Sequence, residues 1–394
     1  MSVVITGIGC VSGMGNGAEE HLEAFRTPRS GLGKITLFQT KLRVPVAEVK
    51  MTDAQLKDNL GLSADGLFSR TALLGMTASR QAYDDAQLST GSLRIGLVSS
   101  SSVGGMDLSE QFYPQYAANP RKGRLRMVAH HDVGDHTEAI ARYLGLEGFR
   151  TTISTACSSS ANAILFGARM IEQGLLDVVI AGGSDALCRF TLNGFNSLMI
   201  LDSGPCRPFD ESRAGLNLGE GAGYVVLQSE KSLTQDSKIY CRLTGYANAN
   251  DAYHQTASSP EGEGAFRAMH RALAKAGISP AQVDYINAHG TGTNNNDLSE
   301  STAIGRLFGE GIPPFSSTKS FTGHTLGAAG GLEAVFSVLA IHNGVVYPNL
   351  NFTTPIAQTG LSPVTEMLQG QDVATVLSNS FGFGGNNASL IFQK

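Results

Sequence analysis

Three side chains in this sequence can do chemistry together: the thiol of Cys157 as a nucleophile, with the imidazoles of His289 and His324 beside it. Cys157 lies in Thr155-Ala156-Cys157-Ser158-Ser159. The run Thr151 to Thr155 is rich in β-branched residues and reads as a strand. Ser158, Ala161, Ile164, Leu165, Ala168 and Ile171 follow helical spacing up to Gly174. Cys157 therefore sits on a sharp strand-to-helix turn, facing the positive end of a helix dipole, which favours the thiolate. An isolated cysteine is more often a buried structural residue, and an isolated histidine more often a structural one. Here Gly290 and Gly292 frame His289, and Gly323 and Gly327 frame His324, so both rings stay reachable. A zinc site built from the same three residues is the rival reading. It lacks the short-range ligand pair that such sites use.

The elements that must position these groups alternate between strand and helix. Val3-Val4-Ile5 reads as a strand closing on Thr6-Gly7, with a Gly-rich loop to Gly17. That loop lacks the spacing and the following acidic residue of a dinucleotide fingerprint. Ala18 to Arg26 is a helix, 27–67 is irregular, and Ser69 to Gln87 is a helix with an apolar stripe. A strand from Arg94 to Ser99, a helix from Val128 to Leu144 and a buried strand from Val178 to Ala181 surround the Cys157 turn. Gly219 to Gly223 opens a strand running from Tyr224 to Leu227. The second half repeats the order. It has strands at Ile239 to Thr244, Tyr285 to Ala288, Phe315 to Ser317, Thr375 to Ser378 and Leu390 to Phe392. Its helices span Gly264 to Ala276, Leu298 to Phe308 and Ala328 to Ile341. The expected division is 1–235, carrying the nucleophile, and 236–394, carrying both histidines. The first half is longer by roughly 70 residues, as repeats with an insertion on one face are. The pattern points to α/β layers with mixed sheets, with the helices after Cys157 and His324 buried against each other.

Composition narrows the function classes. The chain has 394 residues, enough for a large core, and a formal net charge of −5, which argues against a general nucleic-acid surface. Its five cysteines form no CxxC pair, which fits reduced thiols in the cytoplasm rather than a disulfide framework or zinc module. No basic and apolar leader opens the chain, and no apolar run is long enough to span a bilayer.

Six motifs occur in one order: Thr155-Ala156-Cys157-Ser158-Ser159, Arg207-Pro208-Phe209-Asp210, Gly219-Glu220-Gly221-Ala222-Gly223, Asn287-Ala288-His289-Gly290-Thr291-Gly292-Thr293, Lys319-Ser320-Phe321-Thr322-Gly323-His324 and Gly382-Phe383-Gly384-Gly385-Asn386. In these the chain resembles, over nearly its whole length, the elongating Cys-His-His β-ketoacyl-acyl carrier protein synthases of the thiolase superfamily. The resemblance implies a duplicated five-layer αβαβα fold with mixed sheets. It implies that Cys157 accepts an acyl chain as a thioester, with the N–H groups of Cys157 and Phe383 as the oxyanion hole. His289 and His324 would then hold the enolate left when a malonyl group loses carbon dioxide, and Lys319 would support the site. Glu333 would be a structural or ion-linked carboxylate, and Phe383 a gate over the nucleophile. Val103 and Phe195 would line the acyl pocket, and Thr291 and Thr293 would bind substrate. No cofactor or metal is expected, because the substrates ride on the phosphopantetheine of a carrier protein. Asn294 departs from the family, which often has proline there.

The resemblance also implies partners. An acidic acyl carrier protein is expected to dock on Arg121, Lys122, Arg124 and Arg126, the only dense basic cluster of an acidic chain. A dimer, with itself or with a related subunit, is expected through the strand before Cys157. The stretches 191–198 and 215–221 resemble synthases of aryl-polyene-type pathways, which implies unsaturated, rigid acyl chains. The alternatives are a non-catalytic chain-length-factor-like subunit, which would lack the nucleophile, and a degradative thiolase, which would need a second cysteine.

Overall fold

The computed structural model describes residues 2–88 and 93–394. Among the described residues the main sheet has eleven strands: ten fall into two matching sets of five, and the two-residue Gly15–Asn16 pairs with Val11 and Ser12 off that path. The first set is β1 (Val3–Ser12), β2 (Ile95–Ser100), β3 (Arg150–Ile153), β4 (Val178–Asp185) and β5 (Gly221–Ser229). The second is β6 (Cys241–Asn250), β7 (Tyr285–Asn287), β8 (Phe315–Ser316), β9 (Thr375–Gly382) and β10 (Asn386–Gln393). Their spatial orders, β1-β5-β4-β2-β3 and β6-β10-β9-β7-β8, are the same. In both sets the strands on the nucleophile or histidine side pair in parallel, β2 with β3 and β4, and β7 with β8 and β9. The remaining pairs are antiparallel. Val4↔Arg242 and Ile5↔Cys241 join the two sheets edge to edge through β1 and β6.

Three apolar clusters record the layering. One lies between Arg70–Asp85, Asp135–Leu144 and the first sheet. Another lies between Glu263–Ala276, Asn294–Phe308 and the second sheet. The largest lies between the sheets, around the helices Ser159–Glu172 and Ala329–Asn343. This is the five-layer αβαβα arrangement with mixed sheets. The helix Ala329–Asn343 is buried from Ala329 to Ile341, which explains why it is apolar nearly all round. The stretch Leu326–Asn343 is long and apolar enough to cross a membrane, an exception to the sequence reading, but it fills the space between the sheets instead. A Cβ on Gly330 would lie 2.9 Å from the amide nitrogen of Ala161, so that glycine lets the two central helices touch.

Some elements differ from their sequence expectation. β1 does not end at Thr6-Gly7 but continues to Ser12. Its glycines admit the helix Arg70–Asp85: a Cβ on Gly7 would stand 2.2 Å from the Ala82 carbonyl oxygen. Gly245 makes the equivalent approach to Ala272 in the second half, at 2.3 Å. The helix expected from Val128 to Leu144 is a short 3-10 turn, Leu125–His130, followed by Asp135–Leu144. Asp132 breaks it, because its carboxylate accepts the Gly134 N–H at 2.6 Å. The irregular 27–67 stretch contains a two-residue ribbon, Leu32–Gly33 with Val46–Ala47. It also contains a helix, Asp53–Asn59, started by a Thr52–Gln55 capping box.

Candidate active site

Cys157 occupies the turn between β3 and the helix Ser159–Glu172, and it is 6% exposed. Ala156 before it holds φ +53°, a left-handed conformation that a non-glycine residue keeps only under constraint. The constraint is visible. Ser159 Oγ receives the Thr155 N–H at 2.8 Å and donates to the Ala156 carbonyl at 2.5 Å. Behind the turn, Asn386 Oδ1 accepts from Ser158 Oγ at 2.8 Å, Asn162 Nδ2 at 2.9 Å and Asn248 Nδ2 at 2.7 Å. The nucleophile's turn is thus tied to the second half by a polar network. The sequence reading did not single out Asn162 and Asn248, because neither sits in a motif.

Burial pushes the Cys157 thiol up to about 11. The Lys319 charge and the N–H groups of Phe383 and Cys157 act in the opposite direction. The expected preference for thiolate is therefore corrected for the free protein: the dry surroundings outweigh the helix dipole. The two N–H groups that favour charge on the sulfur are the pair expected to form an oxyanion hole.

His289 follows β7. Glu300 holds its loop by accepting the N–H of His289 at 2.9 Å and of Gly290 at 2.8 Å. Asp297 accepts the N–H of Thr291 at 2.9 Å. Neither carboxylate was identified from sequence; the available signal was two acids three residues apart at the start of the helix after a Gly-Thr loop. Burial raises the Glu300 carboxyl to about 7. His324 is set by its own N–H, which donates to the Asn217 carbonyl at 2.7 Å, and by Gly323 at φ +64°, where a Cβ would meet the Leu218 carbonyl oxygen at 2.8 Å. Asp185 was also missed. It accepts Ser102 and Val103 N–H at 3.0 and 2.9 Å, and Gly327 N–H at 2.7 Å, joining the 101–104 loop to the turn after His324.

The protonation of the two rings follows from their neighbours. The Leu326 N–H donates to His324 Nδ1 at 3.1 Å, and Lys319 Nζ donates to His289 Nδ1 at 3.1 Å. Each Nδ1 is an acceptor, so each neutral ring carries its hydrogen on Nε2. Burial, and then the Lys319 charge, hold both rings well below the ordinary histidine range, so they are neutral. Lys319 also donates to the His289 carbonyl at 2.6 Å and pairs with buried Glu333. The ring centroids of His289 and His324 lie 5.4 Å apart, nearly perpendicular.

One ring nitrogen of each histidine and Cys157 Sγ lie within 4.8 Å of one another. The same spacing would suit a metal, but the groups behind the two rings do not. A metal-bound histidine normally donates its other N–H to an acceptor. Here both Nδ1 atoms face donors, so neither Nε2 has a free lone pair. The arrangement presents a thiol and two converging N–H donors.

These groups open on a cavity of about 190 Å³ whose wall includes Phe195, Thr291, Thr293 and Phe383. The Phe383 and Phe195 rings stack with centroids 6.0 Å apart and planes 17° apart. Val103 lies behind this wall, in one apolar cluster with Phe195, Ile200 and Leu216, which line the cavity. It is 5% exposed, and Leu187 and Leu192 belong to the same cluster. Its backbone N–H is held by Asp185, which turns that loop inward. Arg121, Lys122, Arg124 and Arg126 are all exposed on the segment after the helix Met106–Ala118.

Residues 1–232 match the family described as "Beta-ketoacyl synthase, N-terminal domain", and residues 240–353 match "Beta-ketoacyl synthase, C-terminal domain". The chain is 36% identical over 405 residues to the "3-oxoacyl-[acyl-carrier-protein] synthase 2" of Staphylococcus aureus (strain COL), covering 100% of this chain and 98% of that one. Among solved structures, "The ishigamide ketosynthase/chain length factor" superposes with a TM-score of 0.94 at 32% identity, covering 100% of this chain and 99% of the other. A type II PKS acyl-carrier protein in complex with its ketosynthase, bound to the hexaketide, gives a TM-score of 0.89 at 28% identity, with coverage of 100% and 99%.

Proposed function

We propose, from the premise that this chain belongs to the β-ketoacyl synthase family, how its site runs the family's condensation. The enzyme joins an acyl group held on Cys157 to a malonyl group delivered by an acyl carrier protein, giving 3-ketoacyl-carrier protein. Cys157 attacks the carrier's thioester, and the sulfur–carbonyl bond of the carrier breaks. The acyl group stays on Cys157, and the thiol proton ends on the departing pantetheine sulfur. The N–H groups of Cys157 and Phe383 hold the oxyanion of this step, and two such donors supply several kcal/mol. A malonyl group then enters with its thioester carbonyl on the Nε2–H groups of His289 and His324. Carbon dioxide leaves, and the electron pair of the broken bond is held as an enolate by those two hydrogens. The carbanion attacks the Cys157 thioester, the Cys157 carbon–sulfur bond breaks, and the sulfur takes one proton from water. Two neutral donors suit this work: an imidazolium would protonate the carbanion that has to attack. The reading asks for no resident cofactor or metal.

The observation that carries this is the matched tautomer of the two histidines, each fixed by a donor behind it. It also weighs against a non-catalytic partner subunit, since nucleophile and both donors are present and assembled. The thiolase alternative lacks its second cysteine: among the described residues, Cys157 is the only cysteine in the cavity wall. The test separates the half-reactions. Cys157→Ala should form no acyl-enzyme yet still release carbon dioxide from malonyl-carrier protein. His289→Ala and His324→Ala should acylate Cys157 but not condense. Elongation by any of the three at the wild-type rate would overturn the assignment.

Further parts of the reading concern partners and substrate. β3 is the free edge of the sheet, and Phe149 next to it is 39% exposed, which supports pairing with a second copy or a related subunit across that strand. Five free, buried cysteines fit a reducing compartment, the cytoplasm. For the acyl chain, the aryl-polyene-type resemblance favours an unsaturated substrate. The apolar cluster around Val103 continues from Phe195, Ile200 and Leu216 of the cavity wall, which supports a deep path for a rigid chain. Competition between saturated and 2,4-dienoyl carrier proteins of equal length for Cys157 tests this, and preference for the saturated chain would reject it.

A further inference from the structure

On the reading above, a carrier protein brings its thioester to the mouth of the cavity over Cys157, and one segment of that mouth runs against the demands of folding. Leu198 and Met199 follow directly on the helix Arg189–Ser197. Leu198 is 44% exposed and Met199 87%, the most exposed large apolar side chain among the described residues. Met199 also holds φ +56°, where glycine or asparagine would sit with less strain. The fold gains little from either property: the side chain is nearly all in water, and its backbone would be eased by a glycine. The turn is nonetheless well defined. The Met199 N–H donates to the Asn196 carbonyl at 3.0 Å, and the Leu198 N–H donates to the Gly194 carbonyl at 3.1 Å. It fixes Met199 in the wall of the same cavity that contains Cys157.

The rest of that wall is uncharged. Thr256, Ser258, Asn294 and Asn295 supply polar groups, and among the described residues no lysine, arginine, aspartate or glutamate lines it. A partner meeting this rim finds dispersion and hydrogen bonding, not ion pairs. A thioether on a flexible stem suits such a contact, since it adapts to an irregular apolar surface.

We infer that Leu198 and Met199 form an apolar docking contact for the acyl carrier protein, beside the point where its prosthetic arm enters. The occupant is the carrier protein because Met199 is at once exposed and part of the wall of the cavity that holds Cys157, which the carrier's arm must enter. This contact rests on the condensing-enzyme reading and adds to it a component that salt does not screen. Charged steering from Arg121 to Arg126 brings the carrier close; the Met199 contact holds it over the opening.

The experiment measures the KM for malonyl-carrier protein with the full-length enzyme and its Met199→Ser, Met199→Gly and Met199→Leu variants, at low and high salt. Serine and glycine should raise KM about fivefold, equivalent to about 1 kcal/mol of binding. The ratio to wild type should be the same at both salt levels. Leucine should restore most of it. Glycine should also raise the thermal midpoint, because it relieves the left-handed strain while removing the contact. A malonyl group on free pantetheine should show a much smaller KM change. An unchanged carrier-protein KM in Met199→Ser overturns the inference. So does an equal rise with free pantetheine, which would place the contact on the arm. Loss of a dimer in Met199→Ser by sedimentation also overturns it, by assigning the patch to a second copy. A wild-type enzyme that makes no condensed product is a different failure, that of the reading beneath.

Discussion

Replacing Lys319 with methionine removes an ammonium that touches both His289 and Glu333. The side chains of Lys319 and Glu333 are only 2% and 3% exposed. Removing one partner of such a buried pair leaves an uncompensated charge and costs about 3–5 kcal/mol of stability. That loss alone would depress activity without any catalytic role for the lysine. Lys319→Met combined with Glu333→Gln removes both charges, and the amide can still serve Ser380, whose Oγ lies 3.3 Å from Glu333 Oε2. The double variant should recover most of the stability, read as the urea midpoint. It does not restore the donor to His289 Nδ1. Without that donor the His289 hydrogen is free to sit on Nδ1, and Nε2 then offers the enolate nothing. A hydrogen bond to a charged group contributes about 1.5–3 kcal/mol. The double variant should therefore release carbon dioxide from malonyl-carrier protein about 10- to 150-fold more slowly than wild type. If it regains stability and also decarboxylates at the wild-type rate, Lys319 is structural only, and the tautomer argument is wrong.

Three other outcomes follow. Because burial raises the Cys157 thiol to about 11, it is protonated in the free enzyme at neutral pH; its alkylation rate by iodoacetamide should keep climbing above pH 9, and a plateau reached below pH 7 would contradict this. A Cβ on Gly382 would stand 2.9 Å from the Thr155 carbonyl oxygen and 3.2 Å from the Cys157 nitrogen, so Gly382→Ala should push Phe383 out of line and slow acyl-enzyme formation by about 10²–10³-fold, the cost of one oxyanion donor. Arg121→Glu with Lys122→Glu should raise the carrier-protein KM at low salt and lose that effect at high salt, as exposed charges do; no change at low salt would make the cluster a solvated face.

The three groups that the structure brings together, Cys157, His289 and His324, were legible in the sequence because each sits in a turn among small residues: Cys157 and His289 directly after strands, and His324 after the short helix Lys319–Thr322. The duplication was legible too, since periodicity marks both copies of the strand and helix order. The second layer was not. Asp185 accepts the Gly327 N–H from across the sequence, a partner that spacing does not reveal, whereas Glu300 and Asp297 accept N–H groups of the nearby His289 loop and left only a weak local signal. The thiol's protonation was misjudged because the turn advertises a helix dipole, whereas desolvation depends on what packs around the sulfur. Val103 was placed in the pocket by the resemblance to the family, not by any motif or spacing of its own. The structure sets it in the apolar cluster behind the cavity wall, where Asp185 holds its loop. Likewise β1 was cut short at glycines that turned out to serve helix packing, not a turn.

The central claim is that Cys157 carries an acyl group to a malonyl-derived carbanion held by two neutral histidines. Intact-protein mass spectrometry of the enzyme with acyl-carrier protein, before and after malonyl-carrier protein is added, tests it most directly. The account predicts a mass increase of one acyl group on Cys157 that disappears on malonyl addition, with a two-carbon-longer 3-ketoacyl group on the carrier protein. An unmodified Cys157 with no extended product, or an acyl-enzyme that malonyl-carrier protein leaves intact, would contradict it.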